Sequence, residues 1–221
     1  DRPGDRWRGF LSSWPMVSGN VEDGGIGFNM KWNMGWANDF YRYVQTDPIY
    51  RKYHHTALNF PLMYAFTEQY CMPISHDEVV HGKLSFINKM FGSHEDKFRQ
   101  ARTSLMLMMT YPGKKMLFMG TEYAQFREWD YDNSLEWFML DYPDHMHFRE
   151  YVASLNAFYL DHSELWEIDF VEDGWKWLLP DEADKNLVAF KRLNKKGKEL
   201  IVVLNFSGSG KIGRASCRER V

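Results

Sequence analysis

Two short apolar runs in this chain end in polar residues, and a helix-like segment separates them. Tyr70 to Ile74 runs into Ser75-His-Asp-Glu78, and Met116 to Met119 runs into Gly120-Thr-Glu122. Short apolar runs with polar ends predict buried strands. Strand, helix and strand with short links favour a parallel α/β fold, which keeps its chemistry just after the C-terminal ends of the strands. The polar groups after both runs are therefore the candidate functional residues.

Capping signals and helical spacing predict the elements around these strands. Ser93 and Asp96 have the arrangement of a capping box, and the helix that they start should end before Pro112. Apolar and aromatic residues recur every three or four positions between Phe148 and Tyr159, which predicts an amphipathic helix. The segment from Ile26 to Trp32 is compatible with a further strand. A further helical stretch is predicted by four apolar residues, Leu58, Leu62, Ala65 and Phe66.

After about residue 165 the pattern changes to short strands. Three strand-like runs cover residues 174–178, 187–193 and 200–206. Asn194-Lys-Lys-Gly197 lies between the last two and predicts a hairpin turn. We therefore expect a separate all-β part to begin in this region.

Composition and charge argue against several classes of function. The net charge is -3 with both signs mixed, which gives no electrostatic case for nucleic acid or an anionic membrane. No stretch approaches the roughly 20 apolar residues that span a bilayer. Cys71 and Cys217 make no disulfide framework, so we expect a cytoplasmic protein. The nine Trp and twelve Tyr suit stacking on sugar rings, and burial in the core is the alternative.

The densest polar cluster runs from Ser75 to Lys83. A zinc site is not favoured, because His76 and His81 are five residues apart and helical zinc ligands need a spacing of four. A Ser–His–Asp triad is not favoured either, because triad members come from distant segments. Paired-carboxylate chemistry fits better, but Asp77 and Glu78 cannot form the pair, since neighbours on a strand face opposite sides. A charged surface loop remains equally compatible.

The stretch Met72-Pro-Ile-Ser-His-Asp-Glu-Val-Val-His-Gly-Lys83 resembles the fourth sequence region of glycogen branching enzymes in the α-amylase superfamily. Residues Phe28 to Trp36 are similar to the segment after strand six of their barrel. The run from Pro112 to Glu122, with the loop through Trp129, is similar to strand eight and its loop. The resemblance extends in the same order from about Ser13 to Ser207, and the His-Asp-Glu-Val-Val-His run separates branching enzymes from plain amylases.

This resemblance implies the last three βα units of a (β/α)8 TIM barrel over residues 14–164, then the start of a β-sandwich domain over 165–211. It implies cleavage of an α-1,4-glucan with retention and transfer of the chain to a glucose 6-hydroxyl, with no metal or cofactor. Asp77 would be a catalytic carboxylate, and His76 would bind the same sugar. Glu122 and Trp129 would contact substrate near the mouth of the site. Packing under a loop is the alternative role for Trp129.

The resemblance also implies that the chain is a fragment. The family's nucleophilic aspartate and acid/base glutamate belong to strands four and five, and neither motif is found. Residues 1–13 are interpreted as frameshifted or non-native, because Arg8-Gly-Phe-Leu11 read one base earlier can give Glu-Asp-Ser. Residues 212–221 resemble translated adapter DNA, and a basic tail is the alternative. A partial barrel leaves strand edges unpaired, so we expect the isolated chain to be inactive and poorly soluble.

Two other functions remain open on the sequence. One is an α-amylase-type hydrolase, which would raise the number of reducing ends in amylose instead of forming new α-1,6 linkages. The other is a non-catalytic glucan-binding protein, which would bind glycogen without turnover. An uninterrupted reading frame through residues 1–15 would favour the binding protein.

Overall fold

The computed structural model describes residues 16–208, which form a parallel sheet with helices and a second, antiparallel sheet. The predictions for residues 1–13, residues 212–221 and Cys217 lie outside the described residues. The parallel sheet has the order β1 (Lys31–Trp32), β2 (Tyr70–Ile74) and β3 (Lys114–Leu117). The helices are α1 (Met34–Gln45), α2 (Thr56–Asn59), α3 (His94–Thr110) and α4 (Pro143–Asp161). The antiparallel sheet has the order β4 (Trp175–Glu182), β5 (Leu187–Leu193) and β6 (Glu199–Asn205). The mixed α/β class is thereby confirmed.

The central strand β2 is buried along its whole length. It pairs in parallel with β1, where Tyr70 lies opposite Lys31, and with β3, where Ile74 lies opposite Leu117. A strand covered on both faces and both edges needs a continuous apolar sequence, which is what residues 70–74 supply. The predicted strand is confirmed. The strand predicted at 116–119 lies two residues earlier, at Lys114–Leu117.

Both long helices lie where periodicity places them. The Ser93 hydroxyl accepts the Asp96 amide at 3.3 Å, and the Asp96 carboxylate accepts the Ser93 amide at 3.3 Å, so the capping box is confirmed. Helix α3 ends at Thr110, before Pro112, as predicted. Helix α4 buries the apolar stripe that includes Phe148, Val152 and Leu155.

Two predictions for the first half of the chain are wrong in extent. Strand β1 is only two residues long, because the Ile26 amide donates to the Met16 carbonyl (2.8 Å) and the Phe28 amide to the Val17 carbonyl (3.0 Å) instead of a sheet partner. The predicted helical stretch breaks after Asn59 into the 3-10 helix Phe60–Met63. Pro61 has no amide hydrogen to donate to Ala57 and therefore stops the α-helix.

The hairpin between β5 and β6 is confirmed. The Asn194 amide donates to the Lys198 carbonyl at 3.1 Å, and Gly197 takes the left-handed conformation (φ 76°) that a tight turn requires. The two strands pair in continuous antiparallel register from Leu187–Asn205 to Leu193–Glu199.

A buried ion pair joins the two sheets. Arg192 on β5 is fully buried. Its guanidinium donates to the Asp169 carboxylate (2.9 Å) and to three carbonyls, those of Thr110 (2.8 Å), Gly174 (3.1 Å) and Leu165 (3.2 Å). Asp169 also accepts the Lys114 ammonium at 2.9 Å. Each charge is thus hydrogen-bonded, which a charge removed from water requires. The pair fixes the end of α3 and the start of β3 against β5.

We expect Arg192→Ala to lower the free energy of unfolding by about 3–5 kcal/mol, because it leaves the Asp169 charge and three carbonyls buried with fewer donors. Lys191→Ala, on the same strand, removes a partly exposed pair with Glu199 and should cost no more than about 1 kcal/mol. Urea unfolding of both variants measures the difference. Equal losses would contradict a buried pair at Arg192.

Lys115 on β3 faces the helices. Its ammonium donates to the Tyr111 carbonyl and lies 5.8 Å from the centre of the Tyr159 ring. It lines a cavity of about 120 Å³ whose other walls are mainly apolar side chains of α3 and α4. Burial disfavours the charged amine and lowers the pKa of Lys115 to about 7.

The lowered pKa of Lys115 makes the free energy of unfolding depend on pH. The unfolded lysine has a pKa of about 10.4, so between about pH 7 and pH 10 the unfolded chain binds the additional proton. The contribution of Lys115 to stability therefore rises with pH across this window. In Lys115→Met the rise should be smaller than in the wild type, and in the exposed Lys176→Met control it should be unchanged. Unfolding measured at several pH values gives both slopes, and identical slopes in all three proteins would refute the assignment.

Candidate active site

The C-terminal ends of β2 and β3 open at the same edge of the parallel sheet. After Ile74 the chain turns through Ser75 into the 3-10 helix His76–Glu78. After Leu117 the pairing continues for one residue, since the Phe118 amide donates to the Ile74 carbonyl at 2.9 Å. The polar segment after β2 therefore lies beside the loop after β3, as the two apolar runs predicted.

His76 and Asp77 form a pair at this edge. His76 Nε2 lies 3.1 Å from Asp77 Oδ1, and 45% and 52% of the two side chains are exposed. The turn that presents them is closed by the Val79 amide, which donates to the His76 carbonyl at 3.0 Å. Lys83 Nζ donates to the Asp77 carbonyl at 2.7 Å and fixes the backbone of Asp77 from the other side. An accessible carboxylate can accept hydrogen bonds from ligand hydroxyls, and an N–H of the imidazole beside it can donate one.

Aromatic rings border the pair on one side. The His76 ring lies 5.9 Å from both the Phe118 and the Trp129 rings, and Phe118 meets Trp129 edge-on at 5.5 Å. The Trp129 amide donates to the Val79 carbonyl at 2.7 Å. The backbone of Trp129 is therefore tied to the loop after β2, and its ring contacts His76.

Glu122 has a different environment. It lies in the 3-10 helix Thr121–Tyr123, between the left-handed residues Gly120 (φ 88°) and Ala124 (φ 59°). Within residues 16–208, its carboxylate makes no hydrogen bond or ion pair. The structure thus brings His76, Asp77 and Trp129 together, and within residues 16–208 no hydrogen bond or ion pair joins Glu122 to them.

Glu128 is a residue of this region that sequence reasoning did not select. Its Oε2 accepts the Gly82 amide at 2.8 Å and its Oε1 accepts the Leu84 amide at 2.6 Å. These backbone hydrogen bonds hold the pKa of Glu128 below its usual value. The sequence carries no local signal for this contact, since Gly82 and Glu128 are 46 positions apart.

Other kinds of site receive no support from the described residues. No group of three or more His, Cys, Asp or Glu side chains between residues 16 and 208 is placed to hold a metal ion. Over the same range, no helix combines the length and the apolar character needed to cross a membrane. Cys71 is free and buried, and burial raises the pKa of its thiol.

The fold and the polar residues at this edge of the sheet are those of an α/β protein whose candidate site lies at the C-terminal ends of parallel strands.

No family model matches the chain. Over 197 residues it is 48% identical to the 1,4-alpha-glucan branching enzyme GlgB of Halothermothrix orenii and 49% identical to that of Aquifex aeolicus. It is 46% identical over 196 residues to the protein of the same name from Pseudomonas fluorescens.

These matches cover 89% of this chain but only 31%, 31% and 26% of the three relatives. The chain thus spans about a third or less of the length of the curated proteins that it matches. The resemblance to branching enzymes is confirmed, and the chain aligns with a part of each of these relatives.

Proposed function

We propose that this segment belongs to a 1,4-α-glucan branching enzyme, which cleaves an α-1,4-glucan with retention and transfers the chain to a glucose 6-hydroxyl. The observation that carries the proposal is the half-exposed His76–Asp77 pair at the edge of a parallel sheet. The pair lies in a stretch that is nearly half identical to proteins named as branching enzymes.

The proposed role of Asp77 follows from its charge and exposure. An ionised carboxylate only accepts hydrogen bonds, so it can hold two sugar hydroxyls. As the glycosidic bond breaks, positive charge develops on the sugar ring, and a fixed negative charge stabilises it. His76 orients the Asp77 carboxylate through one ring nitrogen and is proposed to meet a hydroxyl of the same sugar with the other.

Retention requires two further carboxylates, a nucleophile and an acid/base. The parts of the relatives that this chain does not match are proposed to supply them. Residues 14–164 are proposed to be the last three βα units of a (β/α)8 barrel, which the parallel order β1-β2-β3 supports. Residues 165–211 are proposed to begin a β-sandwich domain, which the antiparallel sheet β4-β5-β6 supports. Glu122 and Trp129 are proposed to contact the glucan near the mouth of the site. The enzyme is proposed to be cytoplasmic and to need no cofactor, and the isolated segment to be inactive.

In the complete enzyme, Asp77→Asn should lower kcat for chain transfer by about 100-fold or more, the loss typical when one preorganised group that stabilises a transition state is removed. The substitution keeps the size of the side chain and removes its charge. Asp184→Asn, in the link between β4 and β5, is the control and should retain wild-type kcat. Equal rates in the wild type and Asp77→Asn would contradict the role of Asp77.

The type of reaction is tested by incubating the complete enzyme with amylose and counting reducing ends in two ways. Reducing ends released after enzymatic debranching count new α-1,6 linkages, and reducing ends without debranching count hydrolysis. A branching enzyme raises the first count and leaves the second nearly constant. A rise in the second count alone would identify a hydrolase, and glycogen binding without either rise would identify a binding protein.

A further inference from the structure

A carboxylate on the loop after β3, that of Glu128, binds two backbone amides of the loop that follows the His76–Asp77 pair. Glu128 accepts the Gly82 amide with one carboxylate oxygen (2.8 Å) and the Leu84 amide with the other (2.6 Å). Hydrogen bonds from amides to an ionised carboxylate are about twice as strong as those between neutral groups. Glu128 therefore fixes two points of residues 79–84, which we call the 79–84 loop.

The 79–84 loop needs this anchor because its backbone conformation is unfavourable. Gly82 has φ 81° and Leu84 has φ 68°. Glycine adopts such angles freely, but a leucine with positive φ brings its side chain too close to the backbone. Leu84 is also 47% exposed, so packing gives it little compensation. The hydrogen bond from the Leu84 amide to Glu128 acts directly at the strained residue.

The anchored loop is connected to Asp77 by a short series of contacts. Lys83, between the two anchored amides, donates its ammonium to the Asp77 carbonyl at 2.7 Å. Lys89 in turn donates to the Lys83 carbonyl. Next to Glu128, the Trp129 amide donates to the Val79 carbonyl at 2.7 Å. A displacement of the 79–84 loop would therefore move the backbone that carries the Asp77 carboxylate.

We propose that Glu128 is a positioning residue, whose carboxylate holds the 79–84 loop and thereby sets the place of Asp77 against the substrate. The inference rests on the proposed function. In this account Glu128 acts on the loop and not on the sugar, since each of its oxygens accepts a backbone amide of the 79–84 loop.

The test replaces Glu128 by Gln in the complete enzyme. Glutamine has the same shape but offers one acceptor oxygen, and its amino group would face the second amide hydrogen. We expect kcat for chain transfer to fall about 10- to 100-fold, because small misplacements of a reacting group are costly, while KM changes less than about threefold. The melting temperature is measured on the same samples.

A matched control exists in the same chain. Glu68 also accepts two backbone amides, those of Val17 (3.1 Å) and Ser18 (2.8 Å), and it binds Lys31 (3.1 Å). Its partners lie outside the 79–84 loop. Glu68→Gln should lower the melting temperature and leave kcat within about twofold of the wild type.

Each outcome is decisive. A selective loss of kcat in Glu128→Gln supports the proposal, whereas unchanged kcat, or equal losses in both variants that follow the melting temperature, overturns it. An inactive wild type would instead refute the proposed function. If Glu128→Gln does not fold, amide exchange in the wild type decides, because the proposal requires protected Gly82 and Leu84 amides. Exchange of both at the rate of a free peptide would overturn the proposal.

Discussion

The site depends on the pairing of one strand, β2, with parallel neighbours on both edges. Its backbone groups are buried and need hydrogen-bond partners, which β1 offers beside Tyr70 and Cys71 and β3 offers from Cys71 to Ile74. The register places Ile74 opposite Leu117 and so brings the ends of β2 and β3 to one level. His76, Asp77 and the loop after β3 meet because of this register.

Ionised side chains that bind backbone groups hold the irregular segments in place. Arg51 donates to the carbonyls of Val44, Thr46 and Phe206, each at 2.9 Å, and so ties the link after α1 to the end of β6. Arg192 likewise binds the Thr110 carbonyl at the end of α3, and Glu128 binds two backbone amides of the 79–84 loop. A buried or half-buried charge must be solvated by dipoles of the protein, and unpaired loop amides and carbonyls are the available ones. Each charge thus satisfies groups that no sheet or helix satisfies.

The accuracy of the sequence predictions follows the range of the interactions that fix each element. The α3 cap depends on Ser93 and Asp96, three residues apart, and was predicted correctly. Helix α1 was missed, although Asn33 caps it through a 3.0 Å bond with the Trp36 amide, because its aromatic residues are equally compatible with a strand. The length of β1 was overestimated, since contacts with residues 16 and 17 compete with the sheet for the amides of residues 26 and 28.

The sequence by itself determined the strand at 70–74, the two long helices, the β5–β6 hairpin and the relationship to branching enzymes. All of these rest on local periodicity or on contiguous residues, which a linear sequence displays directly. Only the tertiary structure decided that the Trp129 ring contacts His76 and that Glu128 anchors Gly82 and Leu84. Those contacts join residues on separate loops, and the pairing of β2 with β3 brings the loops together. Neither loop alone carries the information that the other will be within hydrogen-bonding distance.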